Sequence, residues 1–193
     1  MAKKKIVKKP KCDVGNFKRF FAYLLDYYLG LLLCSLPIVL ANGIINQSEK
    51  MQMNLFFFSK QPALFYSMAV VSLLLGYYYY IHIPLKVWKG QTVAKRLFHF
   101  KIVKKDGDDV DLKTLVLRYV VGFTIVEGSL ISCSSILRQT ITYMTNINLV
   151  DPLMKIGTYV SLASCMLVFV TKNRQMIHDF IAGTMVTDEN YEK

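Results

Sequence analysis

The sequence predicts an all-α membrane protein: four transmembrane helices, both termini in the cytoplasm, a short hairpin in the middle loop and a C-terminal segment at the interface. Three observations carry this expectation. Of 193 residues, 53% are hydrophobic and only 19% charged, against about 25% charged in an ordinary soluble domain. The apolar residues gather in four blocks, roughly 20–45, 62–85, 115–137 and 152–171, each near the ~20 residues that cross a bilayer core of about 30 Å. Lys and Arg collect in alternate segments between those blocks, and the enriched segments are the cytoplasmic ones. The expected organisation is a basic arm over residues 1–18, a membrane domain over 19–186 and a polar tail over 187–193.

The net charge of +11 is therefore read by its placement. The arm "KKKIVKKPKCDVGNFKR" carries eight Lys/Arg, and Lys86 to Lys113 carries eight more. The outer loops carry only Lys50 and Lys60, and Arg138. Anionic lipid headgroups account for this pattern. The basic segments lack the aromatic platform or motif that nucleic-acid binding requires. The localisation expected is the cell (inner) membrane.

The first block reads as a retained helix rather than a signal peptide, because Asp26 interrupts it and it outruns an h-region. Pro37 lies in its outer third, where neighbouring helices must accommodate a kink. In the first outer loop, Phe56, Phe57 and Phe58 form an aromatic run expected to rest in the membrane interface. The second helix ends in "YYYYIHIPLKVW", an aromatic belt at the headgroup level, with Tyr77 deeper and its hydroxyl in need of a partner.

In the middle loop, "FHFKIVKKDGDDVDLK" alternates around Asp106-Gly107, a tight-turn signal between two short strands. Its carboxylates miss the spacing of a calcium loop. Small residues at Gly128, Ser129, Ser132 and Ser135, and at Gly157, Ser161 and Cys165, predict close packing of the third and fourth helices. Beyond them, Met176, Ile177, Phe180 and Ile181 recur at helical spacing, a half-buried turn or two at the inner surface. The four cysteines are widely spaced and suggest neither a disulfide framework nor a thiolate site.

The informative residues are the charges inside apolar runs. Arg19 and Asp26 are seven residues apart, about 10 Å and two helical turns, so they line one stripe. Arg118 enters one turn inside the same boundary, and Glu127 falls near the centre. Nine α-helical steps put those two on opposite faces, so each needs its own partner. A charge at the bilayer centre costs at least about 2.5–3.5 kcal/mol, so such groups face protein or water. Arg118 is expected to fork onto Asp26, which sits at similar depth. Glu127 either takes a donor from Tyr77 or a serine, or carries a proton; Lys155 is expected to snorkel outward. Registry between helices and a functional site are both open readings of these groups.

"RFFAYLLD", the "GQT" element of the middle loop and "HDFIAGTMV", in that order, resemble the RDD family of bacterial membrane proteins. The family's Arg and first Asp match Arg19 and Asp26, and its last Asp matches Asp179. Its loop element, Gly-Gln-Thr, a variable residue, Gly and Lys, matches Gly90, Gln91, Thr92 and Lys95; Ala94 stands where glycine is usual. Arg118 matches an arginine common early in the next helix. The resemblance implies a fold and a membrane location, with transport or an accessory role rather than a defined reaction. It also implies that the terminal segment folds back, joining Arg19, Asp26, Arg118 and Asp179 in one polar cluster near Gln91 and Thr92.

Two functions follow from these residues. One is a small cation or proton transporter or transport subunit drawing on Asp26 and Glu127, for which a four-helix bundle would need a second copy or another membrane protein. The other is a non-catalytic accessory or scaffold subunit. His82, His99 and His178 are separate, and no HExxH, GxSxG or phosphate loop is present, so no enzyme, metal or cofactor is expected.

Overall fold

The computed structural model describes residues 14–47, 52–128 and 132–190. Helix α1, Asn16–Asn46, runs 31 residues through Pro37. At about 1.5 Å per residue it exceeds the thickness of a hydrocarbon core, so one end stands among headgroups. A 3-10 turn, Leu55–Phe58, leads to α2, Pro62–Tyr77, which begins on proline and continues as a π-helical stretch, Tyr78–Val87. Pro84 explains the change of pitch: it lacks an N–H and crowds the carbonyl one α-turn back, and a wider turn relieves both faults.

A short α3, Val93–Leu97, is capped by Thr92, whose hydroxyl accepts from Lys95 N. Strand β1, Phe100–Lys104, follows, and then α4, Leu112–Val116, capped by Asp111 through Thr114 N at 2.8 Å. Helix α4 also widens into a π-helical stretch, Leu117–Glu127, which stops at Gly128 in the left-handed region (φ 55). Helices α5, Ser132–Thr145, and α6, Val150–Val170, complete the bundle; the chain then returns as α7, Ile177–Ala182, and β2, Thr184–Asp188.

Three of these helices are long and apolar enough to cross a membrane: Asn16–Ile45, Pro62–Val87 and Val150–Val170. The expected third span is instead Leu112–Glu127 followed by Ser132–Thr145 at a bend of 61°, and it makes a fourth crossing only if the bent pair is taken as one. Helix α1 packs on α2, α3 and α5, while α6 lies outermost against the π-helical part of α4 and against α5. The main core joins Cys34, Ile38, Phe65, Tyr79 and Phe123. A smaller one joins Val14, Ala22, Ala94, Phe100 and Val186 under the start of α1. Of the expected small-residue stripe on the fourth helix, Gly157 and Ser161 are buried, but Ser164 takes the next place and Cys165 is exposed.

The expected hairpin is not formed as read. The Asp106-Gly107 turn is present, but the returning chain makes only the single bridge Val103↔Asp109 among the described residues. It then leaves because Asp111 must cap α4. The partner of β1 comes from the C-terminus: β2 pairs with it antiparallel, from Phe100↔Asp188 to Lys104↔Thr184. Thr187 and Asp188, placed by sequence in a polar tail, are thus strand residues, whereas α7 falls where the helical spacing indicated. Arg138, read as a loop charge, is buried within α5.

Candidate functional site

Two buried ion clusters occupy the end of the bundle where α3, α7 and the sheet cover the helices. The first surrounds Asp26, 3% exposed on α1. Its Oδ1 accepts from the Tyr79 hydroxyl at 2.6 Å, and its Oδ2 accepts from Thr92 at 2.7 Å and from Lys95 Nζ at 2.5 Å. Its backbone carbonyl accepts from Tyr80 at 3.0 Å. Lys95 reaches it because Ala94, fully buried, seats α3 directly against Ala22 of α1. Burial pushes the Lys95 ammonium down, but the Asp26 carboxylate outweighs this and holds it above its ordinary range.

The second cluster is built by the returning C-terminal segment. Helix α7 lies so close to α4 that a Cβ on Gly122 would meet His178 Cβ at 2.6 Å. Arg118, on α4, donates from Nη1 to Asp179 Oδ1 and to Thr184 Oγ1 at 2.6 Å, and from Nη2 to His178 Nε2 at 3.0 Å. Asp179 also accepts from Met176 N at 3.1 Å in the first turn of α7 and lies 3.9 Å from Arg19 Nη2. Arg19 donates to the Arg174 carbonyl at 2.5 Å. Burial pushes the Asp179 carboxyl up, but the guanidiniums of Arg118 and Arg19 prevail and hold it well below the usual carboxylate range.

His178 joins this cluster to Glu127. Guanidinium carries only donors, so Nε2 of His178 is an acceptor; the proton of the neutral ring sits on Nδ1 and is donated to Glu127 Oε1 at 2.9 Å. The same Oε1 accepts from Ser164 at 2.7 Å and from His178 N at 3.1 Å. The imidazole stacks on Phe123 at 3.8 Å and is 2% exposed. Burial, reinforced by Arg118, pushes it below its ordinary range. A protonated ring could no longer accept from Arg118, and its Nε2–H would face Asp179 Oδ2, 3.7 Å away.

Several expectations are corrected here. Arg118 does not fork onto Asp26; it serves Asp179, and Asp26 is served by Lys95. Arg118 and Glu127 do not face opposite ways. A π-helical turn, closed i→i+5, holds roughly four and a half residues, so nine residues make two turns and both side chains reach His178. A serine does serve Glu127, but Tyr77 does not; Tyr77 is 45% exposed, and the tyrosines with buried work are Tyr79 and Tyr80.

Gln91 braces the sheet, donating to the Phe100 carbonyl at 3.2 Å, and Gly90 (φ 72) lies where a Cβ would strike the Ile102 carbonyl at 2.3 Å. Cys34 and Cys133, read as unrelated, meet with their Sγ atoms 3.6 Å apart. Tyr79, expected in the headgroup-level belt, and His178, given no role by the sequence, are both buried in these clusters. For His178, adjacency to Asp179 on a segment of helical spacing was the available signal. Among the described residues, no three His, Cys, Asp or Glu gather in a metal-holding arrangement.

These features define a small helical membrane protein whose buried charges are matched between separate elements rather than along one helix. The chain belongs to the RDD family, whose model matches residues 14–183. It is similar to the uncharacterized protein YckC of Bacillus subtilis (strain 168), with 28% identity over 173 residues that cover 90% of this chain and 83% of that one. No solved structure matches the chain.

Proposed function

We propose that the protein is a small proton-coupled transporter, or a transport subunit, of the cell membrane, non-enzymatic, with the His178–Glu127 pair holding the proton that moves. The observation that carries this reading is the unbroken chain of polar groups Asp179–Arg118–His178–Glu127, which leads from the polar end of the bundle to a carboxylate inside the third apolar block. Within it, His178 has a partner for each protonation state: Arg118 for the neutral ring, Asp179 for the charged one. The basic arm and middle loop face the cytoplasm and its anionic lipids on this reading, and a second copy or another membrane protein completes the pathway of so thin a bundle. Purified protein in vesicles carrying a pH-sensitive dye should show a proton flux under an imposed gradient. Glu127→Gln and His178→Gln should abolish it, and no flux from folded, reconstituted wild type would overturn the reading.

An accessory role is favoured by one feature of α6. It buries Gly157, Ser161, Ser164 and Val168 but exposes Tyr159, Met166 and Phe169 by 69–77%. This exposed aromatic and apolar face is available to a partner helix. Gentle extraction followed by mass spectrometry would reveal a stoichiometric companion, and a stable lone monomer would count against the accessory role.

A further inference from the structure

At the end of the bundle away from the ion clusters, a cavity of about 230 Å³ opens between the second half of α1, α5 and α6. Arg138 lines it. Arg138 is 8% exposed and donates from Nη1 to the Gly128 carbonyl, while its Nε has no partner among the described residues. Ser132, also on the cavity wall, has a buried hydroxyl without a partner among the described residues. Among the described residues no carboxylate lies within 4.0 Å of Arg138, whereas the other buried cations are matched, Arg118 by Asp179 and Lys95 by Asp26. A buried cation without a counter-charge is costly in a membrane, and an oxyanion beside the guanidinium would offset that cost. The rest of the wall is apolar, with Leu31, Ile38 and Met154 facing the same space.

We infer that this cavity binds a small oxyanion bearing a short apolar tail, with Arg138 and Ser132 on the oxygens and the tail against Leu31, Ile38 and Met154. A guanidinium fork matches a carboxylate or phosphate in shape and charge. About 150 Å³ suffices for benzene, so the space holds a ligand of six heavy atoms or slightly more. The oxyanion is either a free short-chain carboxylate or the phosphate of a lipid with net negative charge. Arg138 bonds the carbonyl next to Glu127, but no residue of the polar chain lines the cavity, so the inference goes beyond the proton reading and its test does not depend on a proton flux.

The test uses the full chain in nanodiscs of neutral phosphatidylcholine, with the unfolding midpoint followed as sodium butyrate replaces sodium chloride at constant ionic strength. A saturable rise of about 5 °C is expected, since a ligand that binds only the folded state stabilises it by mass action. In discs containing phosphatidylglycerol, a higher starting midpoint to which butyrate adds nothing would identify the lipid as the source. Arg138→Gln should abolish either response. Ser132→Leu breaks no hydrogen bond among the described residues and fills the space, so it should abolish the response with the arginine in place; it decides the matter if the Arg138 variant does not fold. Glu49 precedes Met53 of the cavity wall by four residues and lies outside the described residues; Glu49→Gln should leave the response unchanged. Overturning results are a wild type indifferent to both butyrate and phosphatidylglycerol, a response retained in Arg138→Gln or Ser132→Leu, or a response that appears only in Glu49→Gln.

Discussion

Arg118 and Asp179, 61 residues apart in sequence, form a buried ion pair with side-chain exposures of 3% and 0%. The pair fastens the returning C-terminal segment to α4. Removing one member leaves the other desolvated and charged, which costs about 3–5 kcal/mol, while replacing both by well-packed apolar residues is often neutral. Arg118→Ala should therefore sharply lower the unfolding midpoint in detergent, and Arg118→Met with Asp179→Met should recover most of the loss. Equal losses in the single and double variants would sink this account.

Lys95 and Asp26 make the same bond between α3 and α1. Asp26→Asn leaves one accepting oxygen where the Tyr79 and Thr92 hydroxyls each donate to a separate one, and it strands a buried ammonium, so a loss of at least about 3 kcal/mol is expected. Lys95→Met in that background should restore stability, whereas Lys95→Met alone should not be benign. Chemical denaturation of the three variants measures the coupling.

Acid should loosen the C-terminal segment before it affects the rest. His178 has a folded-state affinity for protons below that of the unfolded chain, so the unfolded state binds more protons as pH falls below the ordinary histidine value of about 6.5. Stability is full above that value and declines on acidification, with a limiting slope of about 1.4 kcal/mol per pH unit. Asp179 has the same sign but acts lower, since its contribution is present above about pH 4 and is lost only as pH falls through its depressed folded value. Between pH 7 and 5 the unfolding midpoint should fall in wild type and fall less in His178→Gln. Parallel curves would show that another group titrates.

Gly122 sets the distance between α4 and α7. With His178 Cβ at 2.6 Å and its Cα at 2.9 Å from the added atom, Gly122→Ala forces the elements apart and should cost about 1–3 kcal/mol. Faster hydrogen exchange over residues 177–188 than over α1 would localise the damage, and unchanged exchange there would contradict the contact.

Cys34 on α1 and Cys133 on α5 touch in the core, with Gly76 of α2 packed on Cys133. Copper phenanthroline should therefore link them in the intact protein, detected as a joined peptide by mass spectrometry and absent in Cys34→Ala. Linkage of Cys165 instead would contradict the helix order, since that thiol is exposed on α6.

The elements that follow from local chemistry were legible in the chain itself. Length and apolarity mark the long helices, Asp106-Gly107 marks its turn, and the spacing of Ile177, Phe180 and Ile181 marks α7. The identity of the site was partly legible too, because a charge in an apolar run must be matched and so Arg19, Asp26, Arg118 and Glu127 announce themselves. Who matches whom was not. Lys95 sits in a basic loop and His178 in a segment that reads only as half-buried, so neither shows its partner, and the π-helical pitch that turns Arg118 and Glu127 to one side leaves no mark in a reading based on 3.6 residues per turn.

The sequence by itself determined that this chain is a helical membrane protein with charges that need partners, because hydrocarbon penalises each unpaired polar group wherever it sits. Only the tertiary structure decided the pairs. A counter-charge acts over a few ångströms, and that proximity is set by the fold-back of α7 and β2 and by the seating of α3, contacts between residues far apart in the chain.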